Sequence, residues 1–182
     1  MIASLMHGAG LFTTLTTLAT DGVCVLMDRF EPAAAVDLIA LHRCTMLIWL
    51  PFMYSGASAQ QLAQPRNVTS LGICLVGGDT TPPSLQEEFL RVFGVRMRNI
   101  LAMSESAGTF TYGFDIGPAC RAVDTDRVRL VDPDGNTVGR GEAGELLFRG
   151  PNMFVGYRLC PGRIDDACKD GWWATGDVPR QG

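Results

Sequence analysis

The first 20 residues contain neither Lys nor Arg, so the positively charged start of a secretory signal is missing and none is expected. The chain has no run of about 18 uninterrupted apolar residues, so no transmembrane helix is expected. His7, Gly8 and Gly10 break the first apolar stretch, and Thr recurs after it. A basic stripe is also missing. The 19 acidic side chains outnumber the 15 basic ones for a net charge of −4, which gives a nucleic-acid partner no electrostatic support. Six cysteines are present, Cys24, Cys44, Cys74, Cys120, Cys160 and Cys168, but their spacings are wide and no CxxC pair occurs. His7 and His42 stand in no ligand-like spacing to them, which argues against zinc. We read the cysteines as small buried hydrophobes in a reducing, cytoplasmic compartment rather than as a disulfide framework.

What is present describes a folded protein. A chain of 182 residues with 47% hydrophobic and 19% charged content can bury a real core. Leu11 to Ala19 predicts a buried helix, broken by Asp21-Gly22. Val23 to Met27 reads as a short buried strand. Glu31-Pro32 opens a helix, with Pro where its missing N–H is harmless. Thr45 to Trp49 predicts a strand stopped by Pro51, and Leu71 to Val76 another, ending in Gly77-Gly78. A helix starts at Pro82-Pro83-Ser84, holds Leu85, Phe89 and Val92 on its apolar face, and ends at Gly94; Val95 to Leu101 is the next strand. Strands alternating with helices argue for a mostly parallel sheet, in which ligands bind beyond the carboxyl ends of strands. Gly77-Gly78 and Ala102 to Ser106 lie at two such ends. The pattern then changes. Val128 to Val131 and Glu145 to Phe148 flank the turn Asp132-Pro133-Asp134-Gly135. The fold class is α/β. A β/α lobe over residues 1–116 is followed by a smaller antiparallel β lobe over residues 117–182.

The most informative run is Gly171-Trp172-Trp173-Ala174-Thr175-Gly176-Asp177. By its residues alone it is a strand end with two core tryptophans and a tight turn. Upstream lie Gly144-Glu145-Leu146, then Arg149-Gly150-Pro151 and Gly156-Tyr157. In that order the segments resemble adenylate-forming enzymes: acyl-CoA synthetases, luciferases and peptide-synthetase adenylation domains. The resemblance implies a fragment of the large N-terminal domain of that family.

It also implies roles. The Asp closing the run grips both ribose hydroxyls of ATP and AMP, a role that falls on Asp177. Asn99 to Glu105 resembles the family's Tyr-Gly-x-Thr-Glu loop. Ser104 then takes the hydroxyl that meets the α-phosphate, and Glu105 the carboxylate that holds Mg²⁺. A divalent ion held by one carboxylate and phosphate oxygens suits that chemistry. Leu101 stands where the family commonly has an aromatic beside adenine, and Ala102 where it has Gly. Gly77-Gly78-Asp79 resembles the segment lining the adenine and acyl sites, where two glycines let backbone approach a ligand closely. His7-Gly8-Ala9-Gly10 resembles the His-x-x-Gly segment near the acyl pocket. Each has a structural alternative: a helix cap for Ser104 and Glu105, a strand-to-helix turn for the glycines, a helix-capping role for Asp79, a partly buried structural histidine for His7, and closure of a turn for Asp177. Arg149 reads as a structural partner for a carboxylate, and the two tryptophans as core.

The family's Ser/Thr/Gly-rich phosphate loop and the C-terminal domain with its catalytic Lys have no counterpart here. The chain alone is therefore expected to be inactive, the middle-to-late part of an AMP-forming acid–thiol ligase. Such a ligase takes a carboxylic acid, ATP and Mg²⁺, and passes the acyl group to CoA or a carrier-protein thiol. The alternative is a non-catalytic remnant or interaction module that keeps the second half of the fold.

Overall fold

Proline sets where three of the four α-helices among the described residues begin. The computed structural model describes residues 5–165 and 167–182, apart from the side chains of Thr109 and Phe110. Helix α1 spans Gly8–Ala19, with His7 as its N-cap accepting from the Ala9 N–H. Helix α2 (Pro32–Leu41) opens on Pro, whose fixed φ and missing N–H suit the first turn. After strand β1 (Met46–Trp49), Pro51 opens helix α3 (Pro51–Ala63) in the same way. Strand β2 (Ile73–Val76) leads to helix α4 (Pro83–Phe93), which also starts on Pro. Gly94 ends α4 in the left-handed region at φ 71°, its N–H donating to the Leu90 carbonyl at 2.9 Å.

Strand β3 (Met97–Met103) follows, then β4 (Gly108–Tyr112) and β5 (Arg121–Ala122). These five strands form one sheet in the order β1-β2-β3-β4-β5. β1, β2 and β3 run parallel, with α3 and α4 as the crossovers; β4 and β5 pair antiparallel. The register of β3 against β4 shifts between Leu101 and Ala102. The core beneath the parallel strands holds Val36, Trp49, Tyr54, Cys74, Val76, Phe89 and Met97, all nearly sealed from water.

The rest of the chain is antiparallel. β6 (Val128–Val131) and β7 (Glu145–Phe148) pair around the Asp132–Gly135 turn. A separate hairpin, β8 (Tyr157–Cys160) and β9 (Arg163–Asp165), comes next. Then β10 (Cys168–Lys169) and β11 (Trp172–Ala174) complete a sheet of order β10-β11-β7-β6. Leu146, Phe148 and Trp173 are its buried centre.

Several expectations need correction. Helix α1 forms but buries only Gly10, while Leu11, Phe12, Leu15 and Leu18 are 40% to 56% exposed. Its N-terminal turns border a cavity instead. Val23 to Met27 forms no regular element and, among the described residues, joins no ladder, and Val23 is 86% exposed. An apolar run becomes a strand only where a neighbour can pair with its backbone. Helix α3 is additional. Its core-facing residues Met53, Tyr54, Ala57, Ser58 and Gln61 include two polar side chains, which blurs the apolar stripe. Not all cysteines are buried. Cys120 and Cys160 are exposed, one in the loop before β5 and the other at the end of a solvated hairpin strand. Cys74 is sealed in the first core, and burial pushes its thiol up to about 12. No helix among the described residues is long and apolar enough to cross a membrane.

Candidate functional site

Strand β3 carries the site because its two faces do different work. Ile100 and Ala102 line a cavity, Leu101 packs against the second core, and Met103, at the strand's end, touches both. Alternation along a strand produces this division. Leu101 is thus a bridge between the two sheets: it packs with Leu146, Phe148 and Trp173. At the end of β3 the chain tightens into a single 3₁₀ turn, Ser104–Ser106, followed by Ala107 in the left-handed region at φ 49°.

The cavity measures about 320 Å³. Its wall combines the start of α1 (His7, Gly8, Phe12), the end of β1 (Ile48, Trp49, Leu50), Gly77 and Gly78 after β2, and Ser104. His7, Gly77, Gly78 and Ser104, four of the candidate residues, therefore meet around one space. Asp177 does not line it. His7 is exposed, and its Nδ1 accepts from the Ala9 N–H at 3.2 Å, so the ring caps α1 while bordering the cavity. Gly77 is required by a close approach: a Cβ there would sit 2.8 Å from the Ile100 carbonyl oxygen. Gly78 is required by conformation, at φ 80°, and its Cβ would press within 2.7 Å of Leu50. Asp79 does not cap α4. Its carboxylate accepts from the neighbouring Thr80 N–H at 2.6 Å, and the cap position belongs to Pro82.

Glu105 is half-buried and held from the antiparallel side. The Tyr157 hydroxyl donates to its Oε1 at 3.0 Å, and the Phe154 N–H donates to its backbone carbonyl at 2.7 Å. The Asn152 amide donates to the Ser106 carbonyl. Phe154 in turn meets Tyr157 and Trp173 edge-on, at ring separations of 4.8 Å and 5.6 Å. The segment Gly150–Tyr157 is thus a brace for the Ser104–Ser106 turn. Partial desolvation, then the hydrogen bond to Glu105, pushes the Tyr157 phenol above its ordinary value. Sequence reasoning singled out Gly156-Tyr157 as a motif but gave Tyr157 no task. No local pattern shows that residues 52 positions apart meet.

A divalent cation fits the donor set. Ser104 is exposed at the cavity, Glu105 offers a carboxylate with one oxygen outside the Tyr157 bond, and among the described residues no cluster of three or more metal-ligating side chains exists. Mg²⁺ typically takes one or two carboxylates and fills its octahedron with phosphate oxygens and water.

Asp177 follows β11. Its N–H donates to Thr175 Oγ1 at 3.0 Å and its carbonyl accepts from Leu146 at 2.8 Å, while the residue stays exposed. The backbone is fixed by β7 and the carboxylate faces water. Trp173 is core, as its residue type suggested. Trp172 is only half-buried, with the Arg129 and Arg149 guanidiniums 4.3 Å and 4.6 Å from its ring centre. Arg149 has no carboxylate partner among the described residues: its Nε donates to the Asp126 carbonyl at 2.8 Å.

Known proteins share this architecture. A family model described as AMP-binding enzyme matches residues 1–158. A feruloyl-CoA synthase from Amycolatopsis sp is 31% identical over 97% of this chain and 37% of its own length. A medium-chain fatty-acid–CoA ligase from Escherichia coli is 31% identical over 99% of this chain and 33% of its own. The solved structure of apo MatB from Rhodopseudomonas palustris superposes with a TM-score of 0.78 at 26% identity, over 97% of this chain and 36% of that one. The chain therefore spans about a third of the length of the curated relatives it matches. With the family model matching most of its residues, the chain belongs to the AMP-binding enzyme family.

Proposed function

We propose that this chain is the part of an AMP-forming acyl-CoA ligase that binds the nucleotide and the acid. The reading is carried by the end of β3, where Ser104 opens onto an apolar cavity and the adjacent Glu105 is held by Tyr157. In the reaction a carboxylate oxygen attacks the α-phosphorus of ATP and pyrophosphate leaves. A thiol, that of CoA or of a carrier protein, then takes the acyl group and AMP departs. Ser104 donates its hydroxyl hydrogen to an α-phosphate oxygen. Glu105 holds Mg²⁺, which when bound neutralises charge building on the phosphates. Gly77 and Gly78 present bare backbone where the adenine and acyl sites adjoin, His7 borders the acyl group, and the Asp177 carboxylate accepts from both ribose hydroxyls. The lobe over residues 1–116 supplies the cavity, and the lobe over residues 117–182 supplies Asp177 and the brace.

Asp177 gives the cleanest test because it lies away from the cavity. Two charge-assisted hydrogen bonds are the stronger kind. Asp177→Ala should weaken AMP binding by about 1.5 to 3 kcal/mol per strong bond before water compensates. Asp177→Asn should be intermediate. Calorimetric titration of AMP into the folded protein decides it. Equal affinity in wild type and both variants would mean that Asp177 only closes its turn.

A further inference from the structure

We propose that the cavity beside Ser104 selects carboxylic acids whose remainder is apolar and uncharged, and rejects dicarboxylates and amino acids. This rests on the ligase reading, since it takes the cavity as the seat of the acid's tail. Among the described residues lining it, none is Asp, Glu, Lys or Arg, and His7 is the one titratable side chain. The His7 Nδ1 is already engaged as an acceptor from the Ala9 N–H. A second carboxylate, or an ammonium, on the tail would lose its water and find no counter-charge.

Shape adds to chemistry. Trp49 is 3% exposed and locked by Phe30 edge-on at 5.6 Å and by Tyr54 at 5.2 Å, so it is a fixed wall. The floor is closely packed too, because Gly77 leaves no room for a Cβ against the Ile100 carbonyl and side chain. A volume of about 320 Å³ lies at the small end of the roughly 300–1,000 Å³ common for ligand pockets. An aryl or medium-length alkyl tail suits these walls. Gly8 keeps the space between Phe12 and Ser104 open: a Cβ there would make ordinary contacts of 3.5 Å and 3.6 Å, so a larger side chain would fill the cavity without straining backbone.

The test incorporates 5-fluorotryptophan and follows the three tryptophans by ¹⁹F NMR, with Trp49→Phe assigning the cavity signal. Cinnamate and octanoate should shift the Trp49 resonance saturably and leave Trp172 and Trp173 in place. Succinate and β-alanine should bind at least about tenfold more weakly. Gly8→Val should abolish the shift with the melting transition kept, and Thr13→Arg should admit succinate. An unmoved Trp49 with both apolar acids, or equal binding of succinate and octanoate, overturns the proposal. AMP is titrated separately by ³¹P line broadening. Apolar acids that move Trp49 in a chain blind to AMP would support the selectivity and sink the ligase reading. AMP binding with no Trp49 response would do the reverse.

Discussion

The two sheets solve the burial problem differently, and the site lies where they meet. Under the parallel strands a chain of aromatic contacts runs Phe52, Phe30, Trp49, Tyr54, Phe89, Phe93, ending in a stacked pair at 4.3 Å. The antiparallel sheet has a smaller buried cluster, Leu146, Phe148 and Trp173, backed by half-buried neighbours, with Val131 and Leu147 also buried on its strands. Its hairpin β8-β9 is exposed along its whole length. The first region has enough core to fix backbone against backbone, as at Gly77 and Ile100. The second contributes reach: Asn152, Phe154 and Tyr157 extend to the turn after β3. The Ser104–Ser106 turn is thus held from two sides, by the packed end of β3 and by the hydrogen bonds from the second region.

The largest expected effects separate the two cores. Phe89→Ala and Phe148→Ala each delete a fully buried ring and should each cost about 3–5 kcal/mol. Hydrogen exchange should then differ in place. Phe89→Ala should expose amides of β1, β2 and β3. Phe148→Ala should release β6, β7 and β11 while the parallel strands stay protected. Loss of protection everywhere in both variants would break the comparison and make the chain a single cooperative unit.

Smaller effects sharpen it. Gln86 is 1% exposed and exchanges hydrogen bonds with Gly117, accepting from its N–H at 3.1 Å and donating to its carbonyl at 3.4 Å. Asn99 donates to the same carbonyl at 2.6 Å. Gln86→Leu strands the Gly117 N–H and should cost about 1–3 kcal/mol in a urea titration. Gly78→Ala forces a side chain into the left-handed region against Leu50 and should cost about 1–2 kcal/mol. A neutral result there would mean the β2 turn is as pliable as the hairpin.

Much of the first region was legible because its signals are local. Pro at the start of helices, Gly94 after α4 and the apolar runs of β1 and β2 are read directly from neighbouring residues. Helix α3 escaped because Ser58 and Gln61 occupy its buried face, where Gln61 bonds the backbone of Arg66. The Val23–Met27 run looked like a strand because periodicity says nothing about partners. At the site, Ser104, Gly77, Gly78 and His7 came from short motifs, and the cavity gathers them. Trp49, Phe12 and Tyr157 did not, since their approach is made by the fold and leaves no spacing in the sequence.

The smallest effect concerns the brace itself. Tyr157 is 45% exposed, so Tyr157→Phe should cost little stability, less than any of the changes above. Its titration is more telling. The phenol is raised by partial desolvation and by the Glu105 bond, so its stabilising contribution is complete below the ordinary tyrosine value of about 10. It is lost as pH climbs through the higher folded value, where the phenolate faces the Glu105 carboxylate. With tyrosines ¹³C-labelled at the ring carbon bearing oxygen, Tyr157 should titrate above the ordinary tyrosine value and below the sealed Tyr54, which burial holds far higher. Glu105→Gln removes the negative acceptor and should bring the Tyr157 transition down toward the ordinary value while Tyr54 stays where it was. Should the transition fail to move, the 3.0 Å contact exerts no pull on the phenol, and Glu105 is positioned by its backbone bond from Phe154 alone.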